Sequence, residues 1–440
     1  MELIHNYIAA HNVLISAGIL ILAYIFIATE KIPKVTIALL GAGLTILLGL
    51  VSQAKTIGDV LNPNYFINFI DFNVIFLLVS MMIIVNITTR SGVFSYIANE
   101  LLKSTKGYPI LILATLGIFT AIVSAFLDNV TTVILILPIT FAISKTLDID
   151  PIPFLLTEVF ASNIGGTATL IGDPPNIIIG SAAGFSFMDF VNNLSGVIAI
   201  ILFAIISGLS IIFKDKLHAD DEKMQSIAEI DNSKTITDKN LMIRSLTVLA
   251  LVILGFVTHD ITHIETSIVA MLGASVLLLF EKPTDILKDV EWNTIFFFIG
   301  LFIIIGGVEA SGGIRLMAEW IIKVTQGSQE AASMLILWGS GLISGVIDNI
   351  PYTATMSPML VEIQKTMGAE YTTPLWWCLS LGACLGGNLT IIGAAANVIV
   401  SENAVKHGHP ISFMRFMKYG VLVVAMSLLI SSIYINLRFM

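Results

Sequence analysis

Asp128-Asn129-Val130-Thr131 and Asp348-Asn349-Ile350-Pro351 are two copies of one motif, 220 residues apart and each embedded in a long apolar run. A carboxylate at membrane depth costs several kcal/mol unless it is paired or hydrated, so each aspartate is by default a functional hypothesis. Each offers oxygens to a hard cation such as sodium, or can hold a proton where desolvation disfavours the charge. Asn129 and Asn349 add a neutral carbonyl and an amide donor, and Thr131 and Thr353 place hydroxyls just beyond. The aspartates could also simply cap the following helix. A cap at a midplane tip is equally where an ion would sit.

A second element recurs in register behind each motif. Gly165-Gly166-Thr167-Ala168-Thr169-Leu170-Ile171-Gly172-Asp173-Pro174-Pro175-Asn176 aligns with Gly386-Gly387-Asn388-Leu389-Thr390-Ile391-Ile392-Gly393-Ala394-Ala395-Ala396-Asn397. A helix that stops inside a bilayer leaves backbone groups unsatisfied, which is tolerated only where protein, water or a ligand covers them. The freed carbonyls can coordinate a cation, and the next helix N-terminus can receive an anion. Glycines there could instead serve close helix packing. Packing alone would not require Asp-Asn companions in both copies. Glu158 and Asp173 have no acidic counterpart in the second half, which makes them, with Asp128 and Asp348, the candidate proton carriers.

The elements that must position these residues are membrane helices. The chain is 56% hydrophobic and only 12% charged, against about a quarter charged in soluble domains, and its apolar segments approach the twenty residues that cross a bilayer core. The net charge of -9 says little, because seven acids and six bases fall together between Lys214 and Arg244. No basic patch supports nucleic-acid binding. Cys378 and Cys384 have no zinc spacing and are expected to pack as small apolar side chains. Residues 1–12 lack the basic start and cleavage site of a signal peptide, so the first span is expected to be retained.

The fold expected is an all-α polytopic membrane protein of about ten spans, made of two inverted-topology repeats, each with a re-entrant helical hairpin and a broken helix. The first repeat covers 12–213, with scaffold spans over 12–89, transport elements over 110–184 and a span over 192–213. A polar cytoplasmic linker covers 214–241. The second repeat covers 242–436, with scaffold spans over 242–309, transport elements over 331–403 and a span over 418–436. An odd number of crossings per half forces the halves into opposite orientation. With both termini outside, seventeen of the twenty-two Lys and Arg residues fall inside, leaving Lys55, Arg315, Lys323, Lys365 and Arg438 outside, as the positive-inside rule favours. Gly92 to Lys103 and Gly312 to Val324 read as amphipathic segments that lie in the interface, either as levers or as plain connectors.

The segments SAFLDNVTTVILILP, SNIGGTATLIGDPPNIIIGSAA, VIDNIPYTATMSP, GACLGGNLTIIGAAANVIV and HGHPISFMRF resemble the ion transporter superfamily over essentially the full length. The resemblance is to the group of arsenite permeases and NhaD-type sodium/proton antiporters with its citrate transporter-like domain, and within it to the P protein (pink-eyed dilution) branch. It implies a scaffold domain that forms a homodimer, and an elevator-like transport domain of hairpins and broken helices. Dicarboxylate transporters of the superfamily carry Ser-Asn-Thr at the hairpin tips, whereas Asp128 and Asp348 would repel a dianion.

These observations point to a secondary-active transporter of the plasma or inner membrane and not to an enzyme, most simply a sodium/proton antiporter with Na+ candidates Asp128, Asn129, Asp348 and Asn349. Proton-coupled export of arsenite or antimonite, or transport of an anion such as chloride or a carboxylate, is the alternative. A channel could use the same glycine breaks, with a flux that does not saturate. The partners expected are the lipid bilayer, small inorganic ions and a second copy of the chain, with no cofactor beyond Na+ or H+ as transported or coupling ions.

Overall fold

The computed structural model describes residues 8, 10–29, 31–51, 64–228, 232 and 235–440; Lys55, Lys234 and most of the N-terminal segment discussed above lie outside them. The described residues form helices and no strand. In the first half these are α1 (Asn12–Ala28), α2 (Lys34–Leu47), α3 (Phe72–Arg90), α4 (Val93–Ser104), α5 (Pro109–Ser124), α6 (Asn129–Leu147), α7 (Ile152–Gly166), α8 (Pro174–Ala183) and α9 (Phe187–Phe213). A linker helix α10 (Asp221–Ala228) follows. The second half repeats the series as α11 (Lys239–Val257), α12 (Thr266–Leu278), α13 (Trp292–Ala310), α14 (Gly313–Val324), α15 (Gln329–Ile347), α16 (Asn349–Met367), α17 (Ala369–Gly386), α18 (Ala395–Lys406) and α19 (Phe413–Phe439).

Among the described residues seven helices are long and apolar enough to cross a membrane, and α1, α2, α5 and α12 are shorter apolar helices. The helices interrupted at the glycine motifs are α7, followed by α8, and α17, followed by α18. Backbone detail repeats as well. Gly92 and Gly312 both take left-handed conformations at φ 81° and 87°, starting α4 and α14, and Lys106 and Gln326 share φ 53° ahead of the two hairpins.

Packing interleaves the halves. α2 lies against α13 and α3 against α12, so the second span of each half meets the third span of the other. Gly300 lets α13 approach the α2 backbone itself, because a Cβ there would stand 2.7 Å from the Ala38 carbonyl carbon. The same exchange governs the hairpins, with α6 against α18 and α16 against α8. Inside each half the first hairpin arm packs on the helix before the break, α5 on α7 and α15 on α17.

The polar linker is a clasp rather than a loose tether. α10 packs on α4 and α6, Lys223 Nζ pairs with Asp148 at 3.0 Å, and Thr237 N donates to the Ser91 carbonyl. Asn232 donates to the Tyr96 carbonyl and to Glu100 Oε1. Hydrogen bonds from Lys103 and then Asn232 hold the Glu100 carboxyl below its ordinary range. Among the described residues no such strap lies at the ends of the equivalent helix α14, where a Cβ on Gly312 or Gly327 would meet nothing within 4 Å.

Candidate functional site

Both aspartates stand at the N-termini of the second hairpin arms. Asp128 takes ordinary extended backbone and accepts from Thr131 N at 2.9 Å, while Asp348 accepts from Ile350 N at 3.1 Å but sits at φ 91°, ψ 131°. That region is essentially reserved for glycine and costs of order 1–3 kcal/mol, so the surroundings must over-determine it. Capping is therefore real in both copies, and only the second is strained.

Next to each aspartate, a serine five residues before the asparagine completes the tip. Ser124 Oγ donates to Asn129 Oδ1 at 2.5 Å and lies 3.0 Å from Ser162 Oγ. Ser344, its counterpart, donates to the Ala383 carbonyl at 3.0 Å. Gly166 belongs to this geometry, because a Cβ there would stand 2.5 Å from Asn129 Oδ1 and 2.8 Å from the Gly172 carbonyl. Gly165 and Gly386 instead press against the hairpin arms, meeting Ala121 in one half and Gly341 and Ser344 in the other. Gly387 faces the Gly393 carbonyl.

The broken helices are laced by asparagine. Asn176 Nδ2 donates to the carbonyls of Thr167 at 3.1 Å and Thr169 at 2.8 Å, and Asn397 Nδ2 donates to those of Gly387 and Thr390, both at 2.8 Å. Carbonyls that the sequence leaves free for a cation thus already accept from the protein, one lone pair each. Thr167 Oγ1 donates back to the Asn163 carbonyl. The hydroxyls of Thr169 and Thr390 donate to the Ala125 and Gly345 carbonyls, clamping each break to its own hairpin tip.

Across the pseudo-symmetric centre the halves exchange bonds. Asn163 Nδ2 donates to Asn388 Oδ1 at 2.8 Å and Asn397 Oδ1 at 2.9 Å, and Ser380 Oγ donates to Asn176 Oδ1 at 2.6 Å. Cys384, which aligns with Asn163, has Sγ 3.6 Å from Asn176 Oδ1. Cys384 is therefore buried among polar groups, not packed as a plain apolar side chain. Asp173 lies at this centre, 2% exposed, accepting from Asn349 Nδ2 at 3.3 Å and facing Asn129, Cys384 and Asp348. Among the described residues the buried Thr353 hydroxyl and Asn388 Nδ2 have no protein partner.

The structure thus brings Asp173, Asp348, Asn129 and Asn349 to one place where the two hairpin tips and two breaks converge. Glu158 stands apart from them, receiving Thr140 Oγ1 at 2.5 Å between α7 and α6. Sequence reasoning missed Ser124 and Ser344, although their shared spacing to the Asp-Asn motif could have shown them. It also missed Lys34 and Glu291, ordinary charges at span ends whose neighbours only the tertiary fold supplies. Lys34 Nζ is 3.2 Å from Asp348 Oδ2.

What this arrangement can do is hold a small cation or proton among carboxylate and amide oxygens, with the α8 and α18 N-termini adding partial positive charge. The fold is similar to that of the transporter YdaH of Alcanivorax borkumensis, with a TM-score of 0.56 at 14% identity, covering 97% of this chain and 98% of that one. In sequence it is 41% identical over 428 residues to an uncharacterized transporter of Mycobacterium bovis, covering 97% of this chain and 98% of that protein. It is 30% identical over 514 residues to the human P protein, covering 98% of this chain and 61% of that one. These likenesses describe a multi-span membrane carrier and not an enzyme. Residues 24–382 match the family described as citrate transporter, and the chain belongs to that family.

Proposed function

We propose that this carrier is a sodium/proton antiporter of the plasma or inner membrane, working by elevator-like alternating access, with Asp128, Asp173 and Asp348 exchanging protons for the cation. The observation that carries the reading is the convergence of Asp173, Asp348, Asn129 and Asn349 at the meeting point of the hairpin tips. Hard cations select such oxygen ligands. In this reading both termini face outside, the hairpin of α5 and α6 enters from the cytoplasm, that of α15 and α16 enters from outside, and the scaffold spans join two copies. The second reading, carriage of a carboxylate anion, is favoured by the family's description, but a dianion would have to approach several carboxylates beside one lysine.

Sodium and protons competing for the same oxygens are linked reciprocally. Adding sodium to detergent-solubilised protein in weakly buffered solution should release protons, and the apparent sodium affinity should weaken as pH falls. Proteoliposome flux with sodium, lithium, arsenite, chloride and citrate, each with and without a pH gradient, separates the readings. Folded protein that shows no sodium-dependent proton release at any pH refutes the antiporter and leaves arsenite or an anion as cargo.

A further inference from the structure

Lys34 begins α2, on the scaffold, yet its ammonium reaches across to the tip of the second hairpin. Nζ lies 3.2 Å from Asp348 Oδ2, with side-chain exposures of 32% and 9%, and 5.1 Å from the Phe297 ring centre. Glu291, at the start of α13, is within electrostatic range of both Lys34 and Asp128, and Thr294 Oγ1 donates to it at 3.0 Å. Among the described residues, Lys34 therefore pairs directly with the carboxylate of the second tip and not with that of the first. The second half has Thr266 where α12 begins, so among the described residues no lysine at the equivalent position serves Asp128.

Three further observations make this pair more than a surface contact. Asp348 is the strained member of the repeated aspartates, at φ 91°. The ammonium and the carboxylate both line a cavity of about 330 Å³ that also touches Ala28, Ile392, Ala395 and Val398, so the pair is reached from one side. That side is the Glu291 end of α13. At the other end of α13, about 28 Å away for nineteen residues, the cavity lined by Asp71, Glu309 and Ala354 contains neither tip aspartate. Tyr24 meanwhile donates to the Pro351 carbonyl at 2.6 Å, packing α1 against α16 beyond the tip.

We propose that Lys34 is a tethered cation: it occupies the Asp348 carboxylate in this one-sided open state, holds the second hairpin against the scaffold, and is displaced when the transported cation binds. Lys34 then sets both the affinity of the site and the population of the open state. The displacement rests on the antiport reading above; the tether does not. Lys34 is a positioning residue, since it acts through Asp348 and not on the cargo.

The test uses the full chain purified in detergent, with a single cysteine at Val398, which lines the open cavity; the native cysteines are buried. Two readouts are taken, the rate of maleimide labelling at that cysteine and the sodium affinity by radioactive sodium binding. Removing the competing ammonium with Lys34→Gln should tighten apparent sodium binding about tenfold and slow labelling at least threefold, because the open state loses its tie. Lys34→Arg should retain both wild-type values. The exchanged pair Lys34→Glu with Asp348→Lys should restore fast labelling while sodium binding stays lost, a result a merely structural lysine would not give. Unchanged labelling in Lys34→Gln overturns the proposal, as does slow labelling in the exchanged pair. If wild-type protein binds no sodium, the antiport reading fails, and the labelling series alone decides whether the tether stands.

Discussion

Replacing Asp128 or Asp348 by asparagine keeps a side-chain oxygen to accept from Thr131 N or Ile350 N while removing the charge. We expect each variant to lose sodium-driven proton flux in proteoliposomes; Asp128→Asn should melt at or above the wild-type temperature because a desolvated charge is relieved, whereas Asp348→Asn should melt at or below it because Lys34 loses its partner. Wild-type flux in both would rule out the tips as the ion site. The lacing asparagines should behave in the opposite way. Asn176→Ala strands two buried carbonyls, each worth about 1–3 kcal/mol when orphaned, so a thermal melt should show clear destabilisation before any effect on ion selectivity is considered. At this scale the sequence was informative wherever a residue type is improbable in a membrane, as with Asp128, Asp173 and Asp348. It was silent about Lys34 and Glu291, because a charge at a span end looks the same whether it faces water or a hairpin tip. The use of Asn176 and Asn397 as laces was half visible: their recurrence marked them, but only the folded break shows that the amide, not an ion, takes the carbonyls.

Among the elements, the two αL glycines offer a matched comparison. Gly92 and Gly312 start α4 and α14 at nearly the same φ, yet a Cβ on Gly92 would collide with the Thr235 carbonyl while one on Gly312 meets nothing within 4 Å. Gly312→Ala should cost only the left-handed strain, about 1–2 kcal/mol, and Gly92→Ala should cost at least about 1 kcal/mol more, read by thermal unfolding in detergent. Equal losses would mean that the linker does not clasp α4 as described. Hairpins, breaks and both amphipathic helices were legible because proline, glycine and the Asp caps punctuate them at repeated spacing. The linker's grip on α4 was not, since a polar segment rich in both charges carries no periodicity that names its partner.

For the whole molecule, single cysteines at Ser226 in the linker and Gln326 before the second hairpin, both exposed, should be labelled by a membrane-impermeant reagent from opposite faces of intact cells. Labelling from the same face would refute opposed halves, which an odd crossing number requires. The repeat itself could be read from the chain because both copies keep the same residue types in register; which helix meets which could not, because apolar faces of similar composition are interchangeable on paper. The exchange of partners, α2 with α13, α3 with α12, α6 with α18 and α8 with α16, has a consequence for how the protein is made. The faces of α2, α3, α6 and α8 that meet these partners are covered by residues synthesised later, so the nascent first half waits in the bilayer with those faces bare, and with Asn163 and Asp173 lacking their cross-half partners, until the second half is inserted. Biogenesis is thus committed to full length: a ribosome stalling in the linker leaves a quality-control substrate, whereas two halves translated from separate messages retain all the surfaces needed to find each other.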